Sequence, residues 1–114
     1  MPTLLPKDDD NHPIPAMRLK DGGAHTLAAT GTSARNSTAF AATTKVVSVY
    51  ATVPVYLHFG ASTVTAAATD HYYPENTYYD FAISGGNIGK GPHSTHLAVL
   101  AADESGTVYI SEKE

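Results

Sequence analysis

Between Lys45 and Gly60 every odd position from Val47 on is apolar: Val47, Val49, Ala51, Val53, Val55, Leu57 and Phe59. The even positions include Ser48, Tyr50, Thr52, Tyr56 and His58, which are polar or amphipathic. Successive side chains of an extended chain point to opposite faces. A period of two over this span therefore predicts strand, with one face on a core and the other toward water or a partner. Pro54 has no N–H to donate to a ladder, so it marks an edge, a bulge or a bend that divides the run into two strands. The period returns downstream, where Tyr79, Phe81 and Ile83 alternate with Tyr78, Asp80 and Ala82. Leu97 to Ala101 is apolar at both parities, which predicts a strand covered on both faces. Thr107 to Ser111 makes a last strand after the turn Asp103-Glu104-Ser105-Gly106. Weaker strands are expected at His25 to Thr30, Ser37 to Ala41 and Ser62 to Ala66. Ala66-Ala67-Ala68 is the one helical hint, and three residues cannot nucleate a helix. Short strands punctuated by Gly, Pro, Asn and Asp predict an all-β chain, folded as a small β-sandwich or a jelly-roll-like barrel.

The first stretch reads differently. Pro2, Pro6, Pro13 and Pro15 fall in it together with Asp8-Asp9-Asp10. Proline fixes φ and removes a donor, so neither helix nor central strand fits. Residues 1–23 are expected to form an extended arm closing on the turn Asp21-Gly22-Gly23, and 24–114 a single β-domain. The stretch reads either as a solvated terminus or as an arm that orders against a neighbouring subunit, and Leu4, Leu5, Ile14, Met17 and Leu19 favour the arm, being more apolar side chains than a solvated tail carries.

Composition narrows the function. A chain of 114 residues fits one domain. Only 16% of its residues are charged, against roughly 25% in soluble domains, so the surface is left to Thr, Ser, Asn, Gly and Tyr. A net charge of −4 with seven scattered basic residues lacks the clustered footprint that nucleic acid needs. No apolar run approaches the ~20 residues of a spanning helix, and the first residues do not read as a secretory signal. With no cysteine there is neither a disulfide framework nor thiolate chemistry, and a cytoplasmic origin is expected.

Candidate chemistry is sparse, and the chain is not expected to be an enzyme or to hold a cofactor. Among six histidines only His93-Ser94-Thr95-His96 has ligand-like spacing, and a metal needs further ligands, with His58, Asp70 and His71 as the available partners. The Gly85 to Pro92 segment resembles a phosphate loop at a glance. It has the wrong spacing before Lys90, no following Ser or Thr, and a strand rather than a helix after it. No serine sits in a nucleophile elbow. Asp70, Glu75 and Asp80 are too few acids for the cleft a glycosidase pair requires.

The aromatic cluster from Asp70 to Asp80 places two Tyr-Tyr pairs around Pro74-Glu75-Asn76-Thr77. Adjacent tyrosines in a strand face opposite ways, so one of each pair should point outward. Tyrosine joins a large apolar ring to a polar tip, which suits it to interfaces. With Tyr50 and Tyr56 on the non-core face of the main run, Tyr72, Tyr73 and Tyr78 complete an expected contact set with the arm residues Leu4, Leu5, Ile14, Met17 and Leu19.

The order of these features resembles the small β-proteins among the structural genes of tailed bacteriophages and prophages. The resemblance is carried by Pro13-Ile14-Pro15-Ala16-Met17-Arg18-Leu19-Lys20, by Val46 to Ala61 with its Phe59-Gly60-Ala61 end, by Asp70 to Phe81, and by Gly106-Thr107-Val108-Tyr109-Ile110-Ser111-Glu112. It implies a capsid decoration (cement) protein without an active site, located on the virion and partnered by the major capsid protein. It also implies a closed homo-oligomer, a trimer by analogy with capsid geometry. The competing expectations are a receptor- or glycan-binding module of a tail tip or fibre, and a head–tail connector or tail subunit.

Overall fold

The computed structural model describes residues 6–13, 16–84 and 93–114. The described residues are all-β. Eight strands run in order: β1 (Leu19–Ala29), β2 (Ala34–Arg35), β3 (Val46–Ala51), β4 (Val55–Gly60), β5 (His71–Tyr73), β6 (Tyr78–Ala82), β7 (His96–Ala101) and β8 (Gly106–Lys113). They form two four-stranded sheets, β1-β8-β3-β6 and β2-β7-β4-β5, with every pairing antiparallel. The pairs are nested: β1 lies beside β8, β2 beside β7, β3 beside β6 and β4 beside β5.

The alternating run builds both sheets. Val47, Val49 and Ala51 on β3 and Val55 and Leu57 on β4 are buried in one core with Leu27, Phe40, Leu97, Val99, Val108 and Ile110. Burial of each large side chain contributes about 1.5–3 kcal/mol, an upper figure because the unfolded chain already hides some of that area. Pro54 stands where the chain leaves the first sheet for the second. Its carbonyl accepts from Ala102 N at 3.0 Å, and Thr52 N donates to Thr107 O at 2.9 Å, so the crossing is tied to the β7–β8 turn. Gly106 is needed there, since a Cβ would sit 2.6 Å from Val53 Cγ2 and 2.7 Å from Thr52 Oγ1.

Several expectations need correction. Asp21-Gly22-Gly23 is not a closing turn. It lies inside β1, where the register with β8 shifts between Leu19 and Ala24 and Gly22 takes φ +74°. Such a bulge lets the strand continue, and glycine holds a positive φ at little cost. The strand therefore opens at Leu19, within the stretch expected to be arm. Upstream, residues 6–13 form a small exposed loop closed by the bridge Lys7↔Pro13, with Asp8 Oδ1 accepting from Asp10 N and His12 N.

Ser37 to Ala41 and Ser62 to Ala66 are connections, not strands. The first is held because Phe40 is buried and its N–H donates to Thr95 O at 2.8 Å. The second lies over the outer face of the second sheet: Arg35 Nη1 donates to Val64 O at 3.2 Å, and Ala66 N to Ser33 Oγ at 2.8 Å. That cover accounts for β7, where His96, Leu97, Ala98 and Val99 are buried at both parities as expected.

Candidate functional site

Side-chain parity sorts the outer face of the first sheet into rows. Tyr78, Tyr50 and Tyr109 stand opposite one another on β6, β3 and β8, and Thr26 continues the row on β1. The next row is Asp80, Ser48, Ser111 and Ala24, and beyond it lie Ala82, Val46, Lys113 and Leu19. Directly opposed side chains in antiparallel strands have Cβ atoms about 4.5–5.5 Å apart, so the three phenols form one transverse band. Tyr78 is 57% exposed and Tyr109 50%, which leaves their rings open to a partner.

Local contacts fix this band. The Tyr50 hydroxyl donates to Asn76 Oδ1 at 3.0 Å, and Asn76 sits in the β5–β6 turn at φ 56°, where asparagine is tolerated. Lys113 Nζ donates to Asp80 Oδ1 at 2.8 Å and lies 5.0 Å from the centroid of the Tyr78 ring. Lys113 and the Ser48 side chain beside it hold the Tyr78 phenol below the usual tyrosine range. Asp80 and Lys113 neutralise each other. The rest of these rows is Tyr, Thr, Ser, Ala, Val and Leu.

The expected contact residues divide between places. Tyr50 and Tyr78 lie on the face just described. Tyr56 and Tyr72 lie on the outer face of the second sheet, with ring centroids 6.0 Å apart and Leu100 opposite Tyr56. Tyr73 is a correction. It is only 6% exposed, and its hydroxyl lies 2.7 Å from Val49 O and 2.6 Å from Thr77 O. It opposes Val55 on the core side, and burial pushes its phenol up. Leu19 is exposed opposite Lys113 and so joins the tyrosine face, and Met17 is half-buried. Leu4, Leu5 and Ile14 lie outside the described residues, as does 85–92. Tyr109 was not in the expected set, although it alternates with the core residues Val108 and Ile110.

Two other features could carry chemistry. Where β5 and β6 form the sheet edges, Leu57, His58, Phe59, His71, Tyr72, Tyr73 and Phe81 line a cleft of about 500 Å³. Phe81 packs against Phe59 at 5.4 Å, Tyr73 at 5.8 Å and Tyr79 at 4.9 Å between centroids. At the opposite edge of the first sheet, His25 Nε2 and Glu112 Oε2 are 2.8 Å apart, with side chains 8% and 4% exposed. Glu112 Oε1 accepts from Ala41 N at 2.9 Å and Thr44 Oγ1 at 2.6 Å. Burial opposes the charge of Glu112, but the bonds from Thr44, His25 and Ala41 outweigh it and hold the carboxyl below its ordinary value. Both carboxylate oxygens are occupied by internal donors, so the group clamps 41–44 onto β8 and β1 rather than facing a substrate.

The remaining candidates do not converge. Asp70 faces His58 at 3.4 Å on the second sheet, Asp80 pairs with Lys113 on the first, and Glu75 is exposed in the turn between β5 and β6. His96 Nδ1 lies 2.8 Å from Thr95 Oγ1, while both ring nitrogens of His93 are buried with no hydrogen-bond partner among the described residues. Among the described residues no group of three or more His, Asp or Glu side chains could hold a metal. Among them, too, no helix is long and apolar enough to cross a membrane. Comparison with known proteins finds no matching family model, curated protein or solved structure.

Proposed function

We propose that this chain is a structural binding subunit that docks through the outer face of β1-β8-β3-β6, and that a tailed-phage virion is the setting it fits best. The observation that carries the reading is the band Tyr78-Tyr50-Tyr109, which crosses three strands and ends on an internally neutralised Asp80–Lys113 pair. A face enriched in tyrosine and poor in net charge has the composition of a protein interface core, where burying an unpaired charge would oppose association. The nested strand order supports a jelly roll, an architecture that recurs in viral capsid and lectin domains. Architecture alone does not assign function, so the argument rests on the face.

As a decoration subunit on the capsid surface, the protein spans seams of the major capsid protein and adds area that must be separated before the shell opens. Many symmetric copies supply avidity that one weak contact lacks. Self-association into a closed ring, a trimer in the simplest capsid geometry, completes the reading. No catalytic step and no cofactor enters it.

The test is absolute mass by size-exclusion chromatography with light scattering, over a concentration series, for the wild-type chain and a Tyr78→Ser/Tyr109→Ser variant. A small closed oligomer that the double variant converts to monomer supports the reading. Equal masses for the two chains at every concentration count against it. A second reading, a receptor- or glycan-binding module of a tail tip or fibre, draws on the cleft beside Phe59 and Phe81. Its lining is mainly ring and aliphatic surface, which offers little to sugar hydroxyls, and it therefore ranks second.

A further inference from the structure

We propose that the open edge of β1 pairs antiparallel with β1 of a second copy across a two-fold axis at Thr26; this adds a contact to the self-association put forward above and rests on it. β1 is an outer strand of its sheet, and hydrogen-bond parity decides which of its groups are free. Thr52 N donates to Thr107 O at 2.9 Å, so Thr107 turns its backbone groups toward β3. Alternation then turns Tyr109 and Ser111 toward β3, and Val108 and Ile110 toward β1. Glu114 has the parity of Ile110, and its two backbone bonds of 2.9 Å with Arg18 agree. Leu27 and His25, opposite Val108 and Ile110, therefore spend their N–H and C=O groups on β8. Ala24, Thr26 and Ala28 are exposed and point theirs the other way, where among the described residues no strand pairs with them. The open stretch is bounded by the Gly22 bulge before it. After it comes Thr30, whose carbonyl accepts from Ala101 N at 2.8 Å.

An unpaired edge of this kind is a template for another strand, and proteins blunt such edges with short strands and charges. The other three edges are blunted: β2 has 2 residues, β5 has 3, and β6 has 5 with Asp80 at its centre. From Ala24 to Ala29, by contrast, β1 carries no Asp, Glu, Lys or Arg. Beside Gly22 to Thr26 runs a groove of about 210 Å³ whose other wall is Asn36, Ser37 and Thr38, so its own subunit leaves the edge open there. The occupant follows from the strand's own pattern, because Ala24, Thr26 and Ala28 read the same in both directions about Thr26. An antiparallel two-fold at that residue sets Thr26 against Thr26 and Ala24 against Ala28, with each free N–H facing a free C=O. His25 then stands opposite Leu27, which keeps core-side residues on the core side. Lys20 and Asp21 fall opposite Thr32 and Gly31, so no like charges meet. Thr26 continues the row Tyr78, Tyr50 and Tyr109, so the pairing joins the bands of two copies into one line across a continuous sheet. Backbone bonds exchanged for bonds to water gain little each, so the edge is weak alone and adds to a face that gathers the copies. Being two-fold, it joins copies in pairs, and it links two rings where the face closes a three-fold one.

The test is amide hydrogen exchange of the full chain, read residue by residue in the assembly and after dilution to monomer. His25 and Leu27 should exchange slowly in both states, whereas Ala24, Thr26 and Ala28 should slow at least roughly tenfold on assembly. The register is checked with thiols, since the chain has no cysteine. Ala24→Cys and Ala28→Cys chains are mixed and treated with a thiol linker of about 5 Å, the Cβ separation of opposed residues. They should join to each other and not to themselves. Ala28→Pro removes an edge donor without touching the β8 ladder and should raise the dissociation constant roughly tenfold. Unprotected edge amides in an assembled protein overturn the pairing and leave the tyrosine face standing. Protected edge amides without the mixed cross-link also overturn it, because another strand or another register then occupies the edge. If both signals appear while Tyr78→Ser/Tyr109→Ser leaves the mass unchanged, the edge holds and the tyrosine face fails. A wild-type chain that is monomeric at every concentration overturns both.

Discussion

Replacing Glu112 tests how the fold holds the connection before β3. In Glu112→Ala, three donors lose their acceptor together: His25 Nε2, Ala41 N and Thr44 Oγ1. Thr44 is buried, and His25 packs edge-on against buried Phe40 with centroids 5.0 Å apart, so the orphaned Thr44 hydroxyl has poor access to water. Removing one member of a buried, hydrogen-bonded pair costs about 3–5 kcal/mol. That is a large part of the ~5–15 kcal/mol by which a domain is stable. With a urea m-value near 1–3 kcal/mol/M, the midpoint should fall by roughly 2 M. Glu112→Gln keeps an oxygen for Ala41 and Thr44 and turns an amide toward His25, so at neutral pH it should cost only about 1–2 kcal/mol. The pH dependence has a definite sign. The folded carboxyl lies below its ordinary value of 4.5, so its contribution is fully present above that value and is lost as pH falls through the lower folded one. The gap between wild type and Glu112→Gln should therefore narrow as urea titrations move from pH 7 toward pH 3. A gap independent of pH, or a Glu112→Ala chain within ~0.5 kcal/mol of wild type, would refute this account of the clamp.

Three further outcomes are expected. Gly106→Ala should cost about 1–3 kcal/mol in denaturant titration, because its methyl would meet Val53 Cγ2 at 2.6 Å beside the Pro54 crossing. Tyr73→Phe should cost about 1–2 kcal/mol with the far-UV spectrum unchanged, since only the hydroxyl near Val49 O and Thr77 O is lost. In a spectrophotometric titration one phenol should ionise below the others, and Lys113→Met should move that step upward, because the ammonium beside Tyr78 favours its phenolate.

The parts of the fold legible in the sequence are those where parity alone decides. From Val47 to Leu57 the odd positions are buried as the alternation requires, and Pro54 divides the run at the point where the chain changes sheets. Leu97 to Val99 is covered on both faces as its unbroken apolar run implies. Short elements escaped because they depend on partners distant in sequence. β2 is two residues held against β7, and β5 is three residues whose Tyr73 turns inward because it opposes Val55. Local propensity at Ser37 to Ala41 and Ser62 to Ala66 was overridden by tertiary hydrogen bonds to Thr95, Ser33 and Arg35. The outward parity of the candidate face was accessible. Tyr50 and Tyr78 follow from alternation, and so does Tyr109 once Val108 and Ile110 are assigned to the core. Their alignment into one band required the β6-β3-β8 order, which no local pattern encodes.

The docking face is tested most directly by tyrosine nitration of the assembled protein, read residue by residue by mass spectrometry. Tyr78 and Tyr109 on the first sheet are compared with Tyr72 on the opposite outer face, which is 60% exposed. If the band is the contact surface, Tyr78 and Tyr109 are protected in the assembly and react on dilution to monomer, while Tyr72 is modified in both states. Equal modification of all three tyrosines in the assembled and dissociated protein would contradict the account.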